Sequence, residues 1–344
     1  KAERKARSST TRSHHKLPSF TRASFLCFLA VSLFMGMAPL AAEEDYWRRG
    51  DDIHGNNFIR RTMSREAYHE IKKSLRVDVE ELIRRLNEQF QRFWEPFTDV
   101  VVDESLIPTK ARCPFTVVIK RKPHPVGVKL WSLVDRAKYL FACSLFAKIS
   151  ERTTATLLRM VSHLPGGRSF SIRADSYFGS FDAALGLQQL GHRFTMACRK
   201  DRPSPLFGRF LHSTTAVNSW QALYHSDPTA PTKVMAALTF HQQKSEGSKL
   251  INFISNLYDG KMAVTKKSGT IPDVVHDYNL HMGFVDQMDS SCLQHAYPHR
   301  LINWKHAVFF WLLEATIHNS SIIWNHLHPG MPCLIFNLIY HFLI

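Results

Sequence analysis

The strongest constraint on what this chain can fold into is a stretch where three runs dense in β-branched and aromatic residues follow one another: Thr98 to Asp103, Val126 to Val134 and Lys138 to Leu145. Side chains of this kind fit a pleated, half-buried surface. Turn-forming breaks at Pro123 to Pro125 and at Asp135-Arg136 separate them, so the spacing predicts three consecutive strands. A fourth strand is expected over Ser169 to Asp175, after the turn Pro165-Gly166-Gly167. A helix over Phe181 to Leu190, closed by Gly191, and a fifth strand over His192 to Cys198 follow.

Three strands and then strand, helix, strand describe an α/β fold with a mixed sheet of the ribonuclease-H-like kind. In Asp78 to Trp94, Val79, Leu82, Ile83, Leu86, Phe90 and Phe93 recur at three- and four-residue steps, which predicts an amphipathic packing helix. Asn303 to His326 reads as a helix rich in Trp and Phe. The expected organisation is a basic disordered arm over 1–22, a helical region over 23–97 completed by 292–344, a catalytic core over 98–204 and 271–291, and an irregular insertion over 205–270.

Charge narrows the partners. Over 344 residues, 44 Lys and Arg stand against 29 Asp and Glu, a net +15, which favours a polyanion such as nucleic acid or an anionic membrane surface. Between Lys110 and Lys129 the cations Lys110, Arg112, Lys120, Arg121, Lys122 and Lys129 have no acid among them, and Arg199, Lys200 and Arg202 follow the fifth strand. These clusters are the expected DNA-phosphate contacts. The cysteines are scattered without a Cys-x-x-Cys pair, which argues against a zinc cross-brace and fits a reducing compartment. Ala23 to Ala42 is uncharged and apolar, with the make-up of a secretory leader, while the continuation Asp45-Tyr46-Trp47 favours a packed helix paired with Asn303 to His326. Opening on Lys1 and closing on an apolar run, the chain reads as a fragment.

Asp103 ends the run Val100 to Val102, where a carboxylate is costly to bury without a partner or a metal. Asp175 closes the fourth strand, which this sheet order sets beside the first. Asp286 and Asp289 lie three apart, so a helix starting near Val285 turns both the same way. Carboxylates are hard ligands suited to Mg²⁺ or Mn²⁺, and two ions about 3.5–4 Å apart stabilise both the attacking and the leaving oxygen of a phosphodiester. On spacing alone, a solvated or helix-capping aspartate remains the plainer reading of each.

The words around these acids say more. Val102-Asp103-Glu104-Ser105-Leu106-Ile107-Pro108, with Lys110, Arg112 and then Gly127-Val128-Lys129-Leu130-Trp131, resembles the catalytic opening of piggyBac-type transposases. Ala174-Asp175-Ser176-Tyr177-Phe178-Gly179-Ser180 is similar to the second acidic motif of that family, and Asp277-Tyr278-Asn279 through Gly283-Phe284-Val285-Asp286 to Asp289 is similar to the third. Trp304 and Asn319 match its closing helix, and Met35-Gly36, Asp45-Tyr46-Trp47 and Met63-Ser64-Arg65 its helical N-terminal region. Ser176 stands where the family usually has Asn, Phe284 where it usually has Gly, and the Cys-rich zinc module of the family is not in this sequence.

This resemblance implies a DDE/D-type DNA transposase in which Asp103 and Asp175 bridge two Mg²⁺ or Mn²⁺ ions, Asp286 completes the catalytic set and Asp289 is an auxiliary ligand. It further implies hydrolysis at transposon ends, a hairpin intermediate and joining at TTAA sites in double-stranded DNA, by a nuclear homodimer with no membrane partner. The competing expectation is a truncated, inactive or domesticated copy that binds DNA without cutting it; a secreted, membrane-associated protein rests on residues 23–42 alone.

Overall fold

Two units emerge in a computed structural model that describes residues 20–48, 56–120, 124–146, 151–199, 216–227, 230–244, 247–258, 260–265 and 269–331. The expected basic arm lies outside these residues, except at its last positions, and so does the apolar end after Met331. The smaller unit holds the described chain up to Arg76 together with Tyr297–His299. In it α1 (Arg22–Met37) starts at a capping box, the Thr21 side chain accepting from the Ser24 amide, and packs against α2 (Asn57–Thr62) and α3 (Arg65–Ser74). The apolar stretch is therefore a packed helix here, with Phe28, Val31 and Met35 fully buried. A polar network holds the outlying segment: Lys72 and Tyr297 both bond Glu43, Lys72 Nζ donates to Tyr297 Oη at 2.8 Å, and Tyr68 Oη meets Ser32 Oγ at 3.0 Å.

The larger unit runs from Val77 to Ala296 and resumes at Arg300. Its helix α4 (Val79–Phe93) buries Val79, Ile83 and Phe90, the face expected from their spacing. There follow β1 (Asp99–Pro108), β2 (Thr116–Val118), β3 (Val126–Asp135), β4 (Leu140–Leu145), α5 (Thr153–Val161), β5 (Ser171–Gly179), α6 (Phe181–Gln189) and β6 (Arg193–Cys198). After them come β7 (Trp220–Asp227), β8 (Ala230–Lys244), β9 (Gly247–Ser255), β10 (Met262–Thr265), β11 (Gly269–Pro272), α7 (Asp273–His281), α8 (Phe284–Leu293) and α9 (Trp304–Leu327).

Among the described residues, nine strands form one mixed sheet in the order β2-β3-β1-β5-β6-β9-β8-β7, with β4 also paired to β3. Only the β1-β5 and β5-β6 pairs of that sheet are parallel, and α5 and α6 make the connections that parallel pairing needs. Each predicted strand is present, so the ribonuclease-H-like reading of the sheet holds. One feature differs from expectation: the supposed insertion contributes β7, β8 and β9 to the main sheet, with Phe253 and Ile254 of β9 buried. Helix α9 packs with α4, α8 and β1 in the larger unit.

Strand β4 leaves an outer edge, where alternate residues of an antiparallel strand turn N–H and C=O away from their neighbour. Side-chain amides fill that role. Asn87 of α4 donates to the Cys143 carbonyl at 2.8 Å and accepts from the Cys143 amide at 2.9 Å. Asn319 of α9 does the same for Leu140, at 2.9 Å in both directions.

Candidate active site

Strands β1 and β5 run side by side in parallel, with Val101 level with Arg173 and Val102 with Ala174. Their pairing stops there, one residue short of Asp103 and Asp175. The reason is on the far side of β5. Between Ala174 and Gly179 that strand advances five residues while its partner β6 advances two, from Met196 to Cys198. Such a bulge bows the chain out of the sheet and re-aims its side chains, here Asp175, Ser176 and Tyr177. Gly179 lets the strands close again: a Cβ there would lie 1.8 Å from the Ala197 carbonyl oxygen.

Carboxylate oxygens of Asp103, Glu104 and Asp175 all lie within 4.8 Å of one another. Two of the three are the aspartates expected to converge; Glu104 is an addition. Asp103 accepts from the Glu104 amide at 2.8 Å, and Asp175 accepts from the Tyr177 amide at 2.9 Å, so both are oriented by their own backbone. Burial pushes the Asp103 carboxyl well above the usual range, and the charges of Glu104 and Asp175 add to it. Burial also raises the Asp175 carboxyl, against the Tyr177 amide, which lowers it.

Three crowded carboxylates are unfavourable as bare charges and favour a cation between them. Oxygens bound to one Mg²⁺ at about 2.1 Å sit roughly 3–4 Å apart, so a cluster no wider than 4.8 Å closes on an ion with small movements. The all-oxygen donor set fits Mg²⁺ or Mn²⁺. Asp286, exposed in the first turn of α8, and Asp289, buried on that helix, do not belong to this cluster. Burial pushes the Cys292 thiol up, and the nearby carboxyls of Asp289 and Glu314 add to it when ionised. Phe284, where a glycine was expected by resemblance, is buried in the core of the sheet unit.

Two residues before Asp175, Arg173 is buried with its side chain 3% exposed. It binds Asp99 of β1 at 2.7 Å and grips both carboxylate oxygens of Asp277 on α7 at 2.8 Å. A bidentate pair of this kind fixes orientation as well as distance, so β1, β5 and α7 are tied together beside the acidic cluster. A groove of about 920 Å³ opens from Asp175 and Ser176 past Arg199, Lys249, Asn252 and Tyr278.

Of the cations expected to meet phosphate, Lys110, Arg112, Lys120 and Arg199 are exposed, whereas Arg121, Lys122, Lys200 and Arg202 lie outside the described residues. Lys129 departs from expectation. Its side chain is 12% exposed and turned inward, with Nζ 3.7 Å from Glu104. Among the described residues, no helix is long and apolar enough to cross a membrane.

A sequence profile described as Transposase IS4 matches residues 3–321. The human PiggyBac transposable element-derived protein 3 is 24% identical over 213 residues, covering 53% of this chain and 34% of that protein. A human chimeric ERCC6-PGBD3 protein is also 24% identical over 213 residues, which are 19% of its length. The chain thus matches about a third or less of the length of these relatives. Among solved structures, the cryo-EM structure of a piggyBac transposase synaptic complex with hairpin DNA superposes with a TM-score of 0.72 at 18% identity, covering 94% of this chain and 70% of that one. This likeness concerns the fold.

Proposed function

The chain belongs to the Transposase IS4 family, and from that footing we propose that it is a DNA transposase of the piggyBac type, cutting and joining phosphodiester bonds at a divalent-metal site built on Asp103, Asp175 and Glu104. The observation that carries this reading is the convergence of these carboxylates, from segments about 70 residues apart, at the point where two parallel strands part. When bound there, Mg²⁺ or Mn²⁺ supplies charge stabilisation for the attacking and leaving oxygens.

The residues have separable tasks. Asp103 and Asp175 hold the metal, oriented by the Glu104 and Tyr177 amides. Asp286 is the further ligand that the resemblance assigns, and Glu104 the one that the geometry favours. Exposed Lys110, Arg112, Lys120 and Arg199 supply positive charge for phosphates along double-stranded DNA. Joining at TTAA sites, a homodimeric state and action in the nucleus belong to the same proposal.

The test is strand cleavage of duplex DNA carrying TTAA-flanked transposon ends, with Mg²⁺ or Mn²⁺. Cleavage is expected from the wild-type chain and not from Asp103→Asn or Asp175→Asn. Comparing Glu104→Gln with Asp286→Asn then shows which of the two carboxylates the reaction needs. The separation of Asp286 from the cluster favours one alternative, a domesticated protein that binds DNA without cutting it; retained DNA binding with no cleavage by any protein would establish that reading.

A further inference from the structure

By sequence Lys129 belongs to a run of surface cations, yet its ammonium sits in a cage of rings. Nζ lies 3.8 Å from the centre of the Trp131 ring, 5.0 Å from that of Tyr177 and 5.5 Å from that of Phe146. Its nearest charged partner is Glu104, at 3.7 Å. Apart from Phe146, which follows β4 directly, the strands set this up. Alternation along β3 puts Lys129 and Trp131 on one face. The antiparallel register then places Trp131 opposite Glu104, and Lys129 opposite Leu106, so the cation lies diagonally beside the carboxylate.

A lysine head is normally a hydrated charge on a flexible stem. Here three ring faces replace part of its water, an interaction that strengthens as the cation is desolvated. The charge is thereby fixed in place beside Glu104, within range of Asp103 and Asp175 as well. A divalent ion at those carboxylates meets a cation that cannot swing away.

We infer that Lys129 is the built-in counter-charge of the Asp103, Glu104 and Asp175 cluster, a positioning residue that holds Glu104 and competes with a divalent metal for the same carboxylates. This rests on the metal-site reading above. Lys129 lowers the affinity of the cluster for an ion while keeping its three acids assembled without one.

The experiment titrates Mn²⁺ into the full chain and reads free Mn²⁺ by electron paramagnetic resonance, with thermal melting of each metal-free protein alongside. Asp103→Asn identifies binding at the cluster. Lys129→Met, and Lys129→Gln as a polar variant should the first fail to fold, are expected to bind Mn²⁺ about tenfold tighter than wild type, because a fixed like charge is removed, and to melt lower without metal. Lys129→Arg keeps the charge and is expected to keep the wild-type affinity. If the wild type binds at the cluster and the neutral variants bind no tighter, or if Lys129→Arg tightens as much as they do, the inference about Lys129 is overturned and the metal site stands. If no protein binds Mn²⁺ at the cluster, both are overturned.

Discussion

Glu314 lies on α9 at 6% exposure, and burial pushes its carboxyl from the usual 4.5 up to about 8. An acid whose folded-state value is raised gives a contribution to stability that is fully present below its unfolded value and is lost as pH rises through the folded one. For Glu314 the window runs from pH 4.5 to about 8. At about 1.4 kcal/mol per pH unit, the rise from 4.5 to pH 7 removes about 3 kcal/mol. With roughly 2–4 °C per kcal/mol for a unit of this size, that is a fall of about 6–12 °C in Tm from this one side chain. Glu314→Gln keeps the shape and cannot ionise. Calorimetric melts of both proteins at steps from pH 5 to pH 8 should show the variant gaining on the wild type by up to about 1.4 kcal/mol per unit. Other titrating groups are common to both and cancel in the difference. Parallel curves of Tm against pH would refute the reasoning, since a buried carboxyl cannot lose its charge-dependent penalty without changing that slope.

Breaking the Arg173 junction by Arg173→Met should cost about 3 kcal/mol in urea unfolding, the low end for a buried ion pair because Asp99 and Asp277 keep some solvent; a loss under about 1 kcal/mol would show that the junction does not anchor α7. Burial raises the Asp277 carboxyl, but His281 and Arg173 outweigh it and hold it below 3.8, so its contribution is present above pH 3.8 and lost as pH falls through the folded value. The variant's acid limb should accordingly be flatter. On duplex DNA, replacing Lys110, Arg112 and Arg199 together by Ala should flatten the log–log salt dependence by about 0.9 for each phosphate that is no longer neutralised. An unchanged slope in filter binding would mean that these cations serve only solubility.

Local pattern is enough for β1, β3, β5, β6, α4 and α9: the strands lie in stretches bounded by turn residues, with β1 and β3 dense in β-branched and aromatic side chains, α4 repeats apolar residues at three- and four-residue steps, and α9 is a long run rich in Trp and Phe. Asp103 stands out because it ends the apolar run Val100 to Val102, where a carboxylate is conspicuous, and Asp175 because it closes the strand expected beside that one. Glu104 was hidden by strand alternation, which sets it on the face opposite Asp103. Only the end of the β1-β5 pairing at Val102 and Ala174 lets the two carboxylates meet. Pro228, Pro231 and Gly247 read as loop punctuation and obscured strands β7 to β9, although Pro231 lies within β8 and Gly247 begins β9. Lys129 reads as a surface cation in sequence because two of its three rings, Phe146 and Tyr177, come from other stretches of chain, and Trp131 beside it does not by itself mark an inward cation. Arg173, between Ile172 and Ala174 in an apolar strand, carried a signal that could have been used: an arginine there needs acids to meet it.

The carboxamide pairs on β4 have a consequence for how copies of this chain fail. A bare strand edge is a template on which another polypeptide can lay a strand of its own. Asn87 and Asn319 close that template from two helices, one from early and one from late in the sequence. A chain cut ahead of Asn319 therefore loses more than the end of a helix: the Leu140 side of the edge is uncovered, and a bare edge of this kind invites strand pairing between copies.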